Sequence, residues 1–230
     1  MYKVSKYFLP LIFVLAAGLT FADDFSDGVS AYEQGDFPTA LESFKAAAAK
    51  GNADAQFNLG LMYLNAEGVP EDYKQAMSWF QQSADQGNVR AQVNLGRMYA
   101  KGKAVVSNHG IAASWFRKAA DQGYADAQYS LGILYVTGTG VPRDFAKARE
   151  LFLKAANQSN ASGQYQMGLI YLKGRGVDIN MVEAYKWLSL AGDYDDSAVY
   201  RKFAEAKMTK EQVSEALALA QAWKPEKPAQ

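Results

Sequence analysis

A glutamine returns every 36 residues along this chain, at Gln56, Gln92, Gln128 and Gln164. Gly60, Gly96, Gly132 and Gly168 keep the same step, as do Tyr63, Tyr99, Tyr135 and Tyr171. A fixed period in the 20–50 range marks a fold built by stacking one supersecondary unit. Such a unit cannot bury its apolar faces alone, so each must pack on its neighbours. The architecture follows from that requirement. It also shifts the expected function away from chemistry and towards binding.

Four units tile the centre: 53–88, 89–124, 125–160 and 161–196. Each opens on an apolar segment of helical period: ADAQFNLGLMY, VRAQVNLGRMY, ADAQYSLGILY and ASGQYQMGLIY. In the first, Ala55, Leu59, Met62 and Tyr63 share one helical face. A glycine in mid-helix costs about 1 kcal/mol relative to alanine. Its return in every unit therefore implies close approach of a second helix, with Gly60 as the contact point. A loop follows, with Gly68, Gly140 and Gly176 where positive φ is expected. Val69, Val105, Val141 and Val177 then read as plugs into the core. Asp72, Asn108, Asp144 and Asn180 read as N-caps of a second helix. That helix carries Ala76, Trp79, Phe80 and Ala84 in the first unit and equivalents in the next two. Gly87 and Gly123 close their helices. Asp72 with Gln75, and Asn180 with Glu183, have the spacing of a capping box.

LGxxY, a Gly-Val-Pro turn, Ala-x-x-Trp-Phe and Ala-Asp-Gln-Gly together resemble the Sel-one-like repeat family, relatives of tetratricopeptide repeats with a longer inter-helix loop. The resemblance covers 53–196. It implies an all-α, right-handed α/α superhelical solenoid of about six helical hairpins. Residues 23–52 resemble a shorter, tetratricopeptide-like hairpin through Ala31, Tyr32, Gly35, Ala40, Phe44 and Ala47. The second unit departs from the pattern, with Ala104 and Val106 where its neighbours have Gly and Pro. Its loop, Lys103 to Asn108, is expected to be reshaped or mobile. The fourth unit has Asp178 for Pro and ends in Gly192-Asp193-Tyr194-Asp195-Asp196, as a last full repeat would.

The ends read differently. Lys3 and Lys6, the apolar run Phe8 to Leu19, and Thr20-Phe21-Ala22 have the outline of a secretory signal peptide over 1–22. The alternative is an uncleaved anchor, but the run is shorter than the roughly 20 residues a spanning helix needs, and Pro10 interrupts it. The expected location is periplasmic or secreted, with a mature chain of about 208 residues starting at Asp23. Its formal charge would be −2, without the basic field of a nucleic-acid binder. The chain has no cysteine, hence no disulfide and no thiol chemistry. At the other end, 197–223 reads as capping helices, Ser197 to Lys207 and then 210–223. Thr209 with Gln212 forms a capping box there, and Met208 with Val213 a hydrophobic staple. Residues 224–230 read as a disordered tail.

No catalytic or metal-binding set emerges, and no cofactor is expected. His109 is the single histidine and reads as a helix-start residue. Gly138-Thr139-Gly140 and Gly174-Arg175-Gly176 resemble phosphate-loop fragments, but repeat position already explains them as inter-helix turns. Asp193, Asp195 and Asp196 lack the spacing of a calcium loop. Within the family, a cysteine-rich branch is associated with penicillin binding and β-lactam hydrolysis. An envelope enzyme of that type is the alternative reading, and the missing cysteines weigh against it. A structural role in assembling an envelope complex is a third.

What varies inside the repeated frame is one stripe of each first helix. If first helices line the concave wall, as in tetratricopeptide arrays, the stripe holds Phe57, Leu61, Arg97, Lys101, Tyr129, Ile133, Tyr165, Leu169 and Lys173. Asn58, Asn65, Asn94, Ser130, Thr137 and Gln166 lie between them. Aromatic and aliphatic anchors, amides and scattered positive charge suit an extended peptide or a partner helix. The competing reading places Phe57 and Tyr129 in the inter-repeat core. Resemblance to exported family members implies an adaptor or regulator that binds a protein partner.

Overall fold

The computed structural model of this protein describes residues 20–226, and among these it contains twelve α-helices. Ten form five antiparallel hairpins: α1 (Thr20–Glu33) with α2 (Phe37–Ala49), α3 (Ala53–Asn65) with α4 (Tyr73–Asp85), α5 (Val89–Lys101) with α6 (His109–Asp121), α7 (Ala125–Thr137) with α8 (Phe145–Asn157), and α9 (Ala161–Lys173) with α10 (Met181–Leu190). Each second helix packs on the first helix of the next hairpin, so the array is an all-α solenoid. Two further helices, α11 (Ser197–Glu205) and α12 (Lys210–Ala222), both pack on α10.

The recurring glycines do what their spacing implies. A Cβ on Gly60 would lie 2.5 Å from the ring of Phe80, one on Gly96 2.6 Å from Phe116, and one on Gly132 2.6 Å from Phe152. In the fourth unit Leu188 replaces the ring, at 2.5 Å from the Gly168 position. The N-terminal hairpin makes the same crossing with Gly28 and Phe44. Each hairpin is thus closed by a large side chain seated on bare backbone.

The recurring glutamines join hairpins to one another. Gln92 donates to the Ala84 carbonyl of the preceding unit at 3.4 Å and accepts from Gln122 at 2.8 Å. Gln56 and Gln128 repeat both bonds, and Gln164 repeats the first. These amides are buried, and leaving a buried amide unpaired costs about twice what a made bond returns. The residue type is therefore dictated by two partners at fixed places.

Caps set the helix starts. Asp36, Asp72, Asn108, Asp144 and Asn180 cap the second helices. Asn52, Asn88 and Asn160 cap first helices, which the sequence reading passed over. The Asn180 side chain accepts from the Glu183 amide, but the Glu183 carboxylate turns to Lys186 and Trp187 instead of closing a box. Thr209 and Gln212 do form a complete capping box.

The inter-helix loop has one design throughout. The amide of the second-helix cap donates to the carbonyl of the recurring tyrosine, as Asp72 does to Tyr63 and Asn108 to Tyr99. Gly140 has φ +74°, and a Cβ there would fall 2.3 Å from the His109 carbonyl carbon. The second unit corrects the expectation of a reshaped loop. Ala104 takes the same left-handed conformation, φ +70°, and packs against the core shared by α3 to α6. Such loops sit on the start of the preceding unit's second helix, Gly68 on Phe37 and Gly140 on His109, and Ala104 keeps the loop's left-handed conformation although an alanine disfavours it.

The C-terminal segment bends back. Trp223 meets Trp187 edge-on at 6.4 Å between ring centroids. The Glu226 amide donates to the Asn157 carbonyl at 2.7 Å, and its carboxylate accepts from the Asn157 amide at 2.7 Å. The tail expected from residue 224 is therefore tied down as far as Glu226, while 227–230 lie outside the described residues. So do residues 1–19 of the expected signal peptide. Among the described residues, no helix is long and apolar enough to cross a membrane.

Candidate interaction surface

Neighbouring first helices approach one another, α7 to α9 and α9 to α11. The nine stripe residues divide by burial. Phe57, Tyr165 and Leu169 are buried, at 5%, 6% and 8% exposure, and are out of a partner's reach. Phe57 packs on Phe80 at 5.8 Å, with the Arg90 guanidinium 4.5 Å over its ring. Tyr165 sits between Tyr194 at 5.7 Å and Tyr200 at 6.2 Å. Leu169 belongs to the core that joins α9 and α10 to α11. The position after each recurring glutamine points into the seam between units, and inter-repeat packing claims it.

Tyr129 is half-buried, with its ring 6.0 Å from Phe152. Leu61 and Ile133 are also half-buried. Arg97, Lys101 and Lys173 are exposed. Arg97 lies 3.5 Å from Asp126 of the next unit, so a partner would compete with an internal ion pair that is itself half in water. Lys173 lies over the Tyr200 ring at 5.3 Å.

Arg97 and Lys101 line a cleft of about 230 Å³ between α3 and α5, together with Leu64, Asn65, Asn94, Met98 and Lys103. Three cations converge there beside amides and two apolar side chains. Lys103 belongs to the loop, outside the stripe from which the site was read. Its ammonium is placed by Tyr73, 2.8 Å from the hydroxyl and 4.1 Å over the ring.

The other end of the wall is tyrosine-rich and acidic. Burial pushes Tyr129 up to about 12, reinforced by Tyr194. Burial followed by the charge of Asp195 does the same for Tyr165. Tyr194 stands 30 residues after Gln164, where the earlier units have Gln86, Gln122 and Gln158. That departure from the repeat is the signal that could have flagged the cluster.

The match to known proteins follows the same frame. A family model described as the Sel1 repeat matches residues 53–88, 89–124, 125–160 and 161–193. The chain belongs to the Sel1 repeat family. Among solved structures it is similar to c5321, described as a protective antigen of uropathogenic Escherichia coli with an SLR fold, at 36% identity and a TM-score of 0.80. That match covers 88% of this chain and 45% of the other, so this chain spans under half the length of that relative. A Sel1 repeat protein from Oxalobacter formigenes is 27% identical with a TM-score of 0.73, covering 85% of this chain and 82% of its own. A Sel1 repeat protein from Klebsiella pneumoniae, 23% identical over 80% of this chain and 93% of its own, shares the fold with a TM-score of 0.51. No curated protein matches the chain. Sel1 repeats generally mediate protein–protein interaction, and the fold is typically a non-catalytic scaffold.

Proposed function

We propose that this Sel1 repeat chain is an exported adaptor or regulator, without catalytic activity, that holds a peptide or helix of a protein partner along its inner wall. The supporting observation is the cleft in which Arg97, Lys101 and Lys103 meet Asn65, Asn94, Leu64 and Met98. Leu61 and Ile133 are partly exposed on the same row of first helices. Amides can bond an extended backbone, aliphatics can seat side chains, and the cations favour an acidic segment. The signal-peptide pattern over 1–22 supports a periplasmic or secreted location.

The test is site-specific photo-crosslinking in cells. Crosslinkers at Leu61 or Ile133 should trap one partner, and one at Leu153, on second helix α8, should not. Lys101→Glu should weaken capture while leaving the melting temperature near that of the parent, because exposed side chains typically contribute within about 0.5 kcal/mol. Trapping from Leu153 alone would refute the inner-wall reading.

A further inference from the structure

The repeat register predicts a buried face on α11 that the structure leaves bare. Val199 and Phe203 lie 36 residues beyond Gly163 and Met167, and so at the positions of Ala55 and Leu59 in the first unit. Ala55, Leu59 and Met167 are at most 1% exposed. Val199 is 62% exposed and Phe203 49%. The cause is local. α10 has 10 residues where the earlier second helices have 13, and Gly192 to Asp196 make an irregular turn before α11. α11 therefore turns Tyr200 and Ala204 towards α9 and α10 and leaves its valine and phenylalanine outward. The next helix, α12, does not cover them, because it packs on α10.

Val199, Phe203 and Tyr200 line a cleft of about 250 Å³ with Leu172 and Lys173 of α9. Its rim is basic. The Lys207 ammonium lies 5.0 Å over the Phe203 ring, and Lys173 lies over Tyr200. Lys202 is exposed on the turn between Val199 and Phe203. Among the described residues, none of these three lysines forms an ion pair, in contrast to Lys147, Lys154 and Lys186.

We propose that this cleft is a second docking site, which takes an acidic amphipathic helix of a partner protein. The apolar anchors are one helical turn apart and lie in a groove between two helices, which is the spacing a helix reads with its own i and i+4 side chains. In every complete unit that face is covered by helix, so a helix restores the packing the array lacks here. The unpaired lysines select carboxylates on the flanks of that helix. The site goes beyond the inner-wall reading and does not depend on it.

The experiment uses the signal-free chain and three probes. One is a labelled helical peptide with a Leu/Phe face and Glu flanks. The second is the same peptide with Lys for Glu, and the third is phosphatidylglycerol vesicles. The acidic peptide should bind and the basic one should not, and affinity should fall with added salt. Phe203→Asp should reduce affinity at least about tenfold, as loss of an aromatic anchor does. The pair Lys202→Glu and Lys207→Glu should transfer preference to the basic peptide. Because Phe203 is half exposed, its variant should melt like the parent; if it does not, the charge-reversal pair decides. Equal binding of both peptides, binding unchanged in Phe203→Asp, or binding to vesicles alone would overturn the proposal. So would sedimentation showing that α11 of one copy is covered by a second copy. Variants at Leu61 and Ile133 should leave peptide binding here unchanged, which separates this site from the inner wall.

Discussion

At the scale of single residues, backbone contact outweighs intrinsic propensity. Gly96→Ala should gain up to about 1 kcal/mol in helix propensity. It also drives a methyl group to 2.6 Å from Phe116, inside a packed seam. Overpacking of this kind typically costs about 1–3 kcal/mol, so the variant should be less stable than the parent. Gly110→Ala is the control. It lies in the first turn of α6, where a Cβ meets nothing closer than 3.4 Å, and it should be neutral or stabilising. Thermal melts followed by circular dichroism separate the two, and equal shifts would contradict the Gly–Phe crossing. Ala104→Gly should stabilise, because a left-handed alanine costs about 1–2 kcal/mol, offset in part by the greater freedom of glycine when unfolded. A fall in melting temperature would show that packing of the Ala104 methyl against the core matters more than the strain.

At the scale of elements, each hairpin is short of a core until its neighbours arrive. Leu95 on α5 is fully buried among Phe57, Phe80 and Trp115. Leu95→Ala should cost about 2–5 kcal/mol, and the loss should reach α3 and α4 because that core spans both units. At the C-terminus, α12 shields Trp187 through Trp223 and is begun by the Thr209–Gln212 box. Thr209→Ala should cost about 1 kcal/mol. Its signature should be local, with faster amide exchange in α12 and its first turn and unchanged protection in α3 to α8. Uniform loss of protection would mean that α12 is not a separable cap.

At the scale of the whole molecule, three tyrosines link stability to alkaline pH. Tyr32, Tyr129 and Tyr165 are each pushed up to about 12 by burial, and Tyr32 also by its 2.7 Å bond to Glu67. The folded chain holds these protons more tightly than an unfolded chain, whose tyrosines titrate near 10. Their stabilisation is therefore complete below pH 10 and is lost as pH rises through about 12. Melting temperature should fall steeply over that window, and less steeply in a Tyr129→Phe, Tyr165→Phe double variant. The same slope in both proteins would assign the alkaline loss to other groups. Export is tested at this scale too. Cleavage after Ala22 would keep in the mature chain Asp24, bonded to Lys50 at 2.6 Å, and Phe25, packed on Phe44 at 5.9 Å. Intact mass of the exported protein should show loss of 22 residues, and retention of the full chain would contradict the signal-peptide reading.

Sequence alone determined the repeat, its phase and the chemistry of its fixed points. Gln and Gly recur because a buried, hydrogen-bonded amide and a bulky side chain seated on bare backbone tolerate no drift. Tertiary structure decided which varying residues remain accessible. Phe57, Leu61 and Tyr165 all read as members of one stripe of the first helices, yet packing buries the first and third and leaves Leu61 partly exposed. It also decided the bare face of α11. The sequence marks where the repeat stops, whereas only the structure shows that α11, following the shorter α10, leaves Val199 and Phe203 outward at positions the register would have buried.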